Sequence, residues 1–119
     1  MKSTRIPLFT LIILGLLLAA CAPGADYDIR GDWDYTMTAS DGNTYDAGSI
    51  TFSGEPVQGT YLETNIYQVE YEGEFRVNGA SLQLTSDETW EGTIQDENTI
   101  TGTWSHTNGA AGTFTATRK

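Results

Sequence analysis

The sequence predicts an all-β protein: a single small antiparallel up-and-down meander barrel of about eight strands, preceded by a short apolar leader. Three observations carry this reading. Apolar and polar residues alternate with period two over long segments, as they do in half-buried antiparallel strands. A glycine followed two positions later by a large apolar residue keeps returning, as in Gly31-Asp32-Trp33, Gly48-Ser49-Ile50, Gly59-Thr60-Tyr61, Gly73-Glu74-Phe75, Gly92-Thr93-Ile94, Gly102-Thr103-Trp104 and Gly112-Thr113-Phe114. Turn residues punctuate the chain at short intervals. No helical stripe follows residue 26. A loose β-sandwich is the alternative arrangement.

The first strand is expected over 29–39, where Trp33, Tyr35 and Met37 alternate with Asp32, Asp34, Thr36 and Thr38. Asp41-Gly42-Asn43 turns the chain into a second strand, 46–54, and a third follows over 57–64. The fourth, 66–78, sets Tyr67, Val69, Tyr71, Phe75 and Val77 against Gln68, Glu70, Glu72, Glu74 and Arg76. Asn78-Gly79 leads to a short fifth strand, 80–86, built around Leu82 and Leu84. The sixth and seventh, 88–95 and 98–106, place Trp90, Ile94, Ile100 and Trp104 on one face and flank the turn Asp96-Glu97-Asn98. Asn108-Gly109 precedes the eighth, 110–118. Eight strands in simple succession close into a barrel, which removes both sheet edges. The glycines share a face with the apolar residues two places on. There they permit sharp strand bending and make space for neighbouring rings, or else for a ligand.

Residues 1–20 form a different unit. Lys2 and Arg5 lie near the start, and 6–20 contains no charged residue. Fifteen helical residues rise about 22 Å, less than the ~30 Å hydrocarbon core of a bilayer. A basic start, a short apolar run and small residues at its end mark a secretory signal peptide rather than a permanent span. A buried N-terminal helix fits less well, because the segment has no polar face to show to water. Cys21 is the only cysteine, so no internal disulfide exists. Leu18-Ala19-Ala20-Cys21 resembles the lipobox of bacterial lipoproteins. That resemblance implies cleavage after Ala20, lipid attachment at Cys21 and anchoring in a membrane. Asp after the cysteine is the family's inner-membrane retention signal. Ala22 stands there instead, which implies the outer membrane or outer cell surface.

Residues 21–28 then hold the acylated cysteine and a short tether, and 29–119 form the barrel domain. Without the leader, four basic residues against 16 acidic ones leave a net charge of −12. Such a surface repels nucleic acid and attracts cations or basic proteins, and it also keeps an envelope protein soluble.

Gly31-Asp32-Trp33 resembles the Gly-x-Trp that opens lipocalin barrels, and the domain as a whole resembles the calycin-like barrels, lipocalins and avidins. Ile100-Thr101-Gly102-Thr103-Trp104 is similar to the first-strand phrase of the avidins, yet it falls in the seventh strand. The resemblance implies a barrel and transfers no binding residues.

Catalytic chemistry has little material. His106 is the only histidine, and its neighbour Ser105 points to the opposite face of a strand. The expectation is a non-enzymatic protein without catalytic residues, cofactor or metal site. Asp41-Gly42-Asn43-Thr44-Tyr45-Asp46 lacks the order of a calcium loop, and one histidine without a spare cysteine makes no zinc site. Carboxylates at Asp32/Asp34 and Glu70/Glu72/Glu74 are expected to face solvent.

The inner face carries Trp33, Tyr35, Phe52, Tyr61, Tyr67, Tyr71, Phe75, Trp90, Trp104 and Phe114. These rings either fill the core or line a cup for a small apolar or aromatic ligand. For the cup, the candidate ligand-binding residues are Trp33, Tyr35, Tyr61, Tyr71, Trp90, Trp104 and His106. The alternative function is an acidic interaction or inhibitor module that docks a basic partner. Some bacterial lipoproteins of similar size inhibit lysozyme through a Ser-Gly-x-x-Tyr loop. Ser53-Gly54-Glu55-Pro56-Val57 begins that way and ends in valine.

Overall fold

The structure, a computed structural model, describes residues 24–119. The expected signal peptide and Cys21 lie outside the described residues. Eight antiparallel strands close into one barrel in sequence order: β1 (Gly31–Ala39), β2 (Thr44–Gly54), β3 (Gln58–Asn65), β4 (Glu70–Asn78), β5 (Ser81–Thr85), β6 (Glu88–Asp96), β7 (Thr99–His106) and β8 (Ala111–Arg118). β8 pairs with β1, Tyr35 opposite Ala116 and Met37 opposite Phe114, so every strand has two neighbours. The all-β meander barrel is therefore the fold, and the sandwich alternative is set aside.

Alternation decides which side chains enter. Trp33, Tyr35 and Met37 of β1 are buried, and Asp32, Asp34 and Thr36 are not. The largest fully buried side chains include Trp33, Trp90, Trp104, Phe75, Met37 and Leu84, which form one continuous core. The glycines on this face serve two kinds of close approach. A Cβ on Gly73 would meet the Tyr61 ring and hydroxyl, and one on Gly112 would collide with the Thr38 carbonyl across the sheet.

The two ends of the barrel differ. At one end Arg118 lies 4.5 Å from the centre of the Trp33 ring and ties three carbonyls together. Its Nε donates to Glu97 O (2.8 Å), Nη1 to Arg30 O (3.0 Å) and Nη2 to Asp28 O (2.8 Å). The Trp33 indole donates to Ile29 O at 2.8 Å, and fully buried Ile29 plugs the space beneath it. This end is closed. The segment expected to be a short tether contributes to it: Ala25 bridges Gly79, and Asp26 N donates to Gly79 O at 3.0 Å. The other end holds the loops 40–43, 66–69, 86–87 and 107–110 and forms the mouth.

One strand starts later than expected. Residues 66–69 form a loop rather than the beginning of β4. Buried Asn65 sets it: its Oδ1 accepts from Tyr67 N (3.0 Å) and Val69 N (2.9 Å), and Gln68 adopts φ 65°. Tyr67, expected on the inner face, is accordingly 77% exposed.

Candidate functional site

The mouth is a cup of about 340 Å³ lined by Glu63, Glu70, Tyr71, Glu72, Ser86, Asp87, Glu88 and His106. Its inner-face residues come from the mouth-side ends of β3, β4, β6 and β7. Beneath it lies an aromatic layer. Tyr35 meets Trp90 edge to face at 5.5 Å, and Trp90 packs on Phe114 at 4.9 Å. Tyr45, displaced by a register shift between β1 and β2, tilts over Trp104 at 4.3 Å. The Trp104 indole in turn donates to Thr38 O at 3.2 Å.

The candidate residues thus divide. Tyr71 and His106 line the cup. Tyr35, Tyr61, Trp90 and Trp104 are buried on the inner face below it. Trp33 belongs to the closed end, under Arg118. Tyr71 keeps the inward phase of β4, but at the rim it is 45% exposed rather than enclosed. His106, last residue of β7, accepts from Asn108 N at Nδ1 (3.1 Å), which places the proton of the neutral ring on Nε2.

The strongest feature of the site is a residue that sequence alternation does not single out. Glu63 continues the inward series Gly59, Tyr61, Glu63 along β3 and is 3% exposed. Its Oε2 accepts from the Tyr35 hydroxyl at 2.7 Å. Among the described residues no cation pairs with it. Burial pushes its carboxyl up to about 7. The Tyr35 hydrogen bond opposes this, and the negative charges of Glu88 and Asp46 add to it. Glu88, two residues before Trp90 and also in the inward phase, accepts from the Trp90 indole at 3.0 Å. The Tyr35 hydroxyl is pushed well above its ordinary range, first by burial and then by Glu63.

Tyr61 is 2% exposed, and its hydroxyl has no hydrogen-bond partner. Burial raises its pKa. The Ser86 hydroxyl, close by but outside hydrogen-bond geometry, pulls the other way, and Glu63, Glu88 and Asp87 add to the rise. These four neighbours all line the cup, and Tyr61 itself does not. The signal for both acidic groups was present in the sequence: each lies two residues from an inward aromatic, Tyr61 or Trp90.

A larger open groove, about 710 Å³, runs over the outer wall beside Gln58, Arg76, Gln83, Glu91 and Thr103. Most of its side chains come from outward positions, and none of these five is buried. The mouth is therefore the better candidate, although it is smaller. Among the described residues, no cluster of three or more His, Cys, Asp or Glu side chains is placed to hold a metal ion.

No protein-family model matches the chain, and no curated protein is similar to it. Solved structures are similar in fold. A redesigned β-barrel, b11L5F_LGL, superposes with a TM-score of 0.58 at 18% identity, covering 76% of this chain and 91% of that one. A fluorescence-activating β-barrel designed de novo gives 0.57 at 17% identity, covering 77% and 94%. The redesigned barrel mFAP1, bound to DFHBI, gives 0.57 at 18% identity, covering 76% and 94%. At these identities the likeness establishes the eight-stranded barrel fold that this chain shares with them.

Proposed function

We propose that the protein is a lipid-anchored, non-enzymatic barrel of the cell envelope that binds a small apolar or aromatic molecule in its mouth. The observation that carries this reading is the cup itself: a polar hollow with the Tyr71 ring at its rim and the nearly buried Glu63 carboxyl in its lining, set over a layer of buried aromatic rings. Small-molecule sites combine apolar walls with a few such orienting groups. A barrel of similar fold, mFAP1, is bound to DFHBI, which supports the architecture as a host for a small aromatic molecule.

Anchoring rests on the lipobox at Cys21, and the closed end gives it a geometry. Gly24, whose carbonyl accepts from Gly79 N at the closed end, is three steps along the chain from Cys21, with Ala22 and Pro23 between them. At ~3.6 Å per residue that end stays within about 11 Å of the anchor, and the mouth faces away from the membrane. Two measurements test the reading. Cys21→Ser moves the protein from the membrane fraction to the soluble one, and small aromatic probes quench the tryptophan fluorescence of the wild type. Retention of Cys21→Ser in the membrane contradicts the anchor, and an unresponsive spectrum contradicts the site.

A second reading is docking of a basic protein by the same acidic end. It is favoured by the exposed Ile66, Tyr67 and Val69 of the 66–69 loop, which stand beside the carboxylates of the rim. Exposed aromatic anchors next to charge are a common interface composition. Association with a basic protein that weakens steeply with salt would support it.

A further inference from the structure

We infer that the mouth is a receptor site for a small organic cation, a protonated amine on an aromatic or apolar body, with the Glu63 carboxylate as its counter-ion. This rests on the reading that the cup binds small molecules, and it assigns the chemical class.

Charge is segregated along the barrel. The four basic residues of the described chain are Arg30, Arg76, Arg118 and Lys119. Arg30 is held by Asp28, Arg118 covers Trp33, Lys119 reaches Ser49 and Asp34, and Arg76 sits in the outer groove. None lines the mouth, whose lining holds Glu63, Asp87 and Glu88 together with Glu70 and Glu72 from outward positions of β4. The mouth therefore repels anions and concentrates cations.

Glu63 turns this general field into a specific site. One carboxylate oxygen takes the Tyr35 hydroxyl, and the other has no hydrogen-bond partner among the described residues while its residue lines the cup. That second oxygen is not sealed from the cup, and a nearly enclosed carboxylate is costly to leave charged, so either a proton or a cation reaching it from the cup relieves the cost. The carboxylates do not gather into a metal-holding cluster, so a compact ammonium group fits the position better than a divalent ion. The half-exposed Tyr71 ring offers a face for a cation or an apolar body.

Proton and amine compete for Glu63, so the affinity falls as the solution becomes acidic. The groups that face Glu63 are Tyr35 from β1, Asp46 from β2, Tyr61 from β3, Tyr71 from β4, Asp87 from the 86–87 loop, Glu88 from β6 and His106 from β7. His106 lines the same cup, so the test separates it from Glu63.

The experiment is calorimetric titration of the purified protein with three probes of similar shape: 2-phenylethylamine, 2-phenylethanol and 3-phenylpropanoate. At about pH 8 the amine is expected to bind at least about tenfold more tightly than the other two, the gain typical of one charge-assisted hydrogen bond. Glu63→Gln, checked for an intact thermal transition, is expected to abolish that preference. It should also flatten the pH dependence, which His106→Gln should leave in place. Equal binding of all three probes overturns the amine assignment and leaves the small-molecule reading standing. No binding of any probe at about 10 mM, weaker than the weakest useful affinity, overturns both. An amine preference that survives Glu63→Gln overturns the role of that residue.

Discussion

Glu63 shows how a single position can hold a conflict between folding and binding. An ordinary glutamate titrates near 4.5, and the folded protein raises Glu63 to about 7, chiefly by burial. Between those values the unfolded chain has already released a proton that the folded chain keeps. The folded state therefore loses stability as pH rises from 4.5 through 7, by about 3 kcal/mol in all, and the loss levels off above. Glu63→Gln retains an oxygen for the Tyr35 hydroxyl and removes the charge. It should stabilise the protein by about 2–3 kcal/mol at pH 8 and change little near pH 4.5, as read by urea unfolding at both values. A variant equally stable relative to wild type at both pH values contradicts the buried-carboxyl account. The residue escaped the sequence reading because period-two logic assigns carboxylates to the wet face. Tyr61-Leu62-Glu63 obeys the period and breaks the polarity rule. Such a breach of a local rule marks a place where packing alone does not explain the residue.

At the scale of elements, all eight strands were legible, most to within two residues, because each carries its own alternation and its own turn. The start of β4 was not. Tyr67, Val69 and Tyr71 keep the inward beat, and nothing in the alternation says where pairing stops. Asn65 decides it, by accepting from two loop amides that would otherwise belong to a ladder. Asn65→Ala removes that acceptor from a buried position and should cost about 1–3 kcal/mol. Tyr67→Ser, on the same loop and exposed, should stay within about 0.5 kcal/mol. Thermal melts of the two variants check the contrast. Equal effects would contradict the role given to the Asn65 side chain. The division of the inner face into a closed end and a mouth was equally hidden. Trp33 and Trp90 look alike along the chain, and only the pairing register sends one beneath Arg118 and the other beneath the cup.

Over the whole molecule, closure in sequence order leaves no sheet edge, so the ends and the outer wall are where a partner can meet the barrel. One end is locked by Arg118, which joins β8 to the segments before β1 and after β6. Arg118→Ala should lower stability by about 1–3 kcal/mol through the loss of three carbonyl contacts and of its cover over Trp33. Binding at the other end should be unaffected, and denaturation and probe titration of one sample show both. Loss of binding together with stability would mean that the two ends are coupled. The remaining choice lies between the mouth and the larger groove on the outer wall. Amide chemical-shift mapping during titration with 2-phenylethylamine decides it. The account predicts shifts clustered at Glu63, Tyr71, Glu88, Trp90 and His106, with Gln58, Arg76 and Gln83 unmoved. Shifts confined to the outer-wall residues, or none at all, would contradict it.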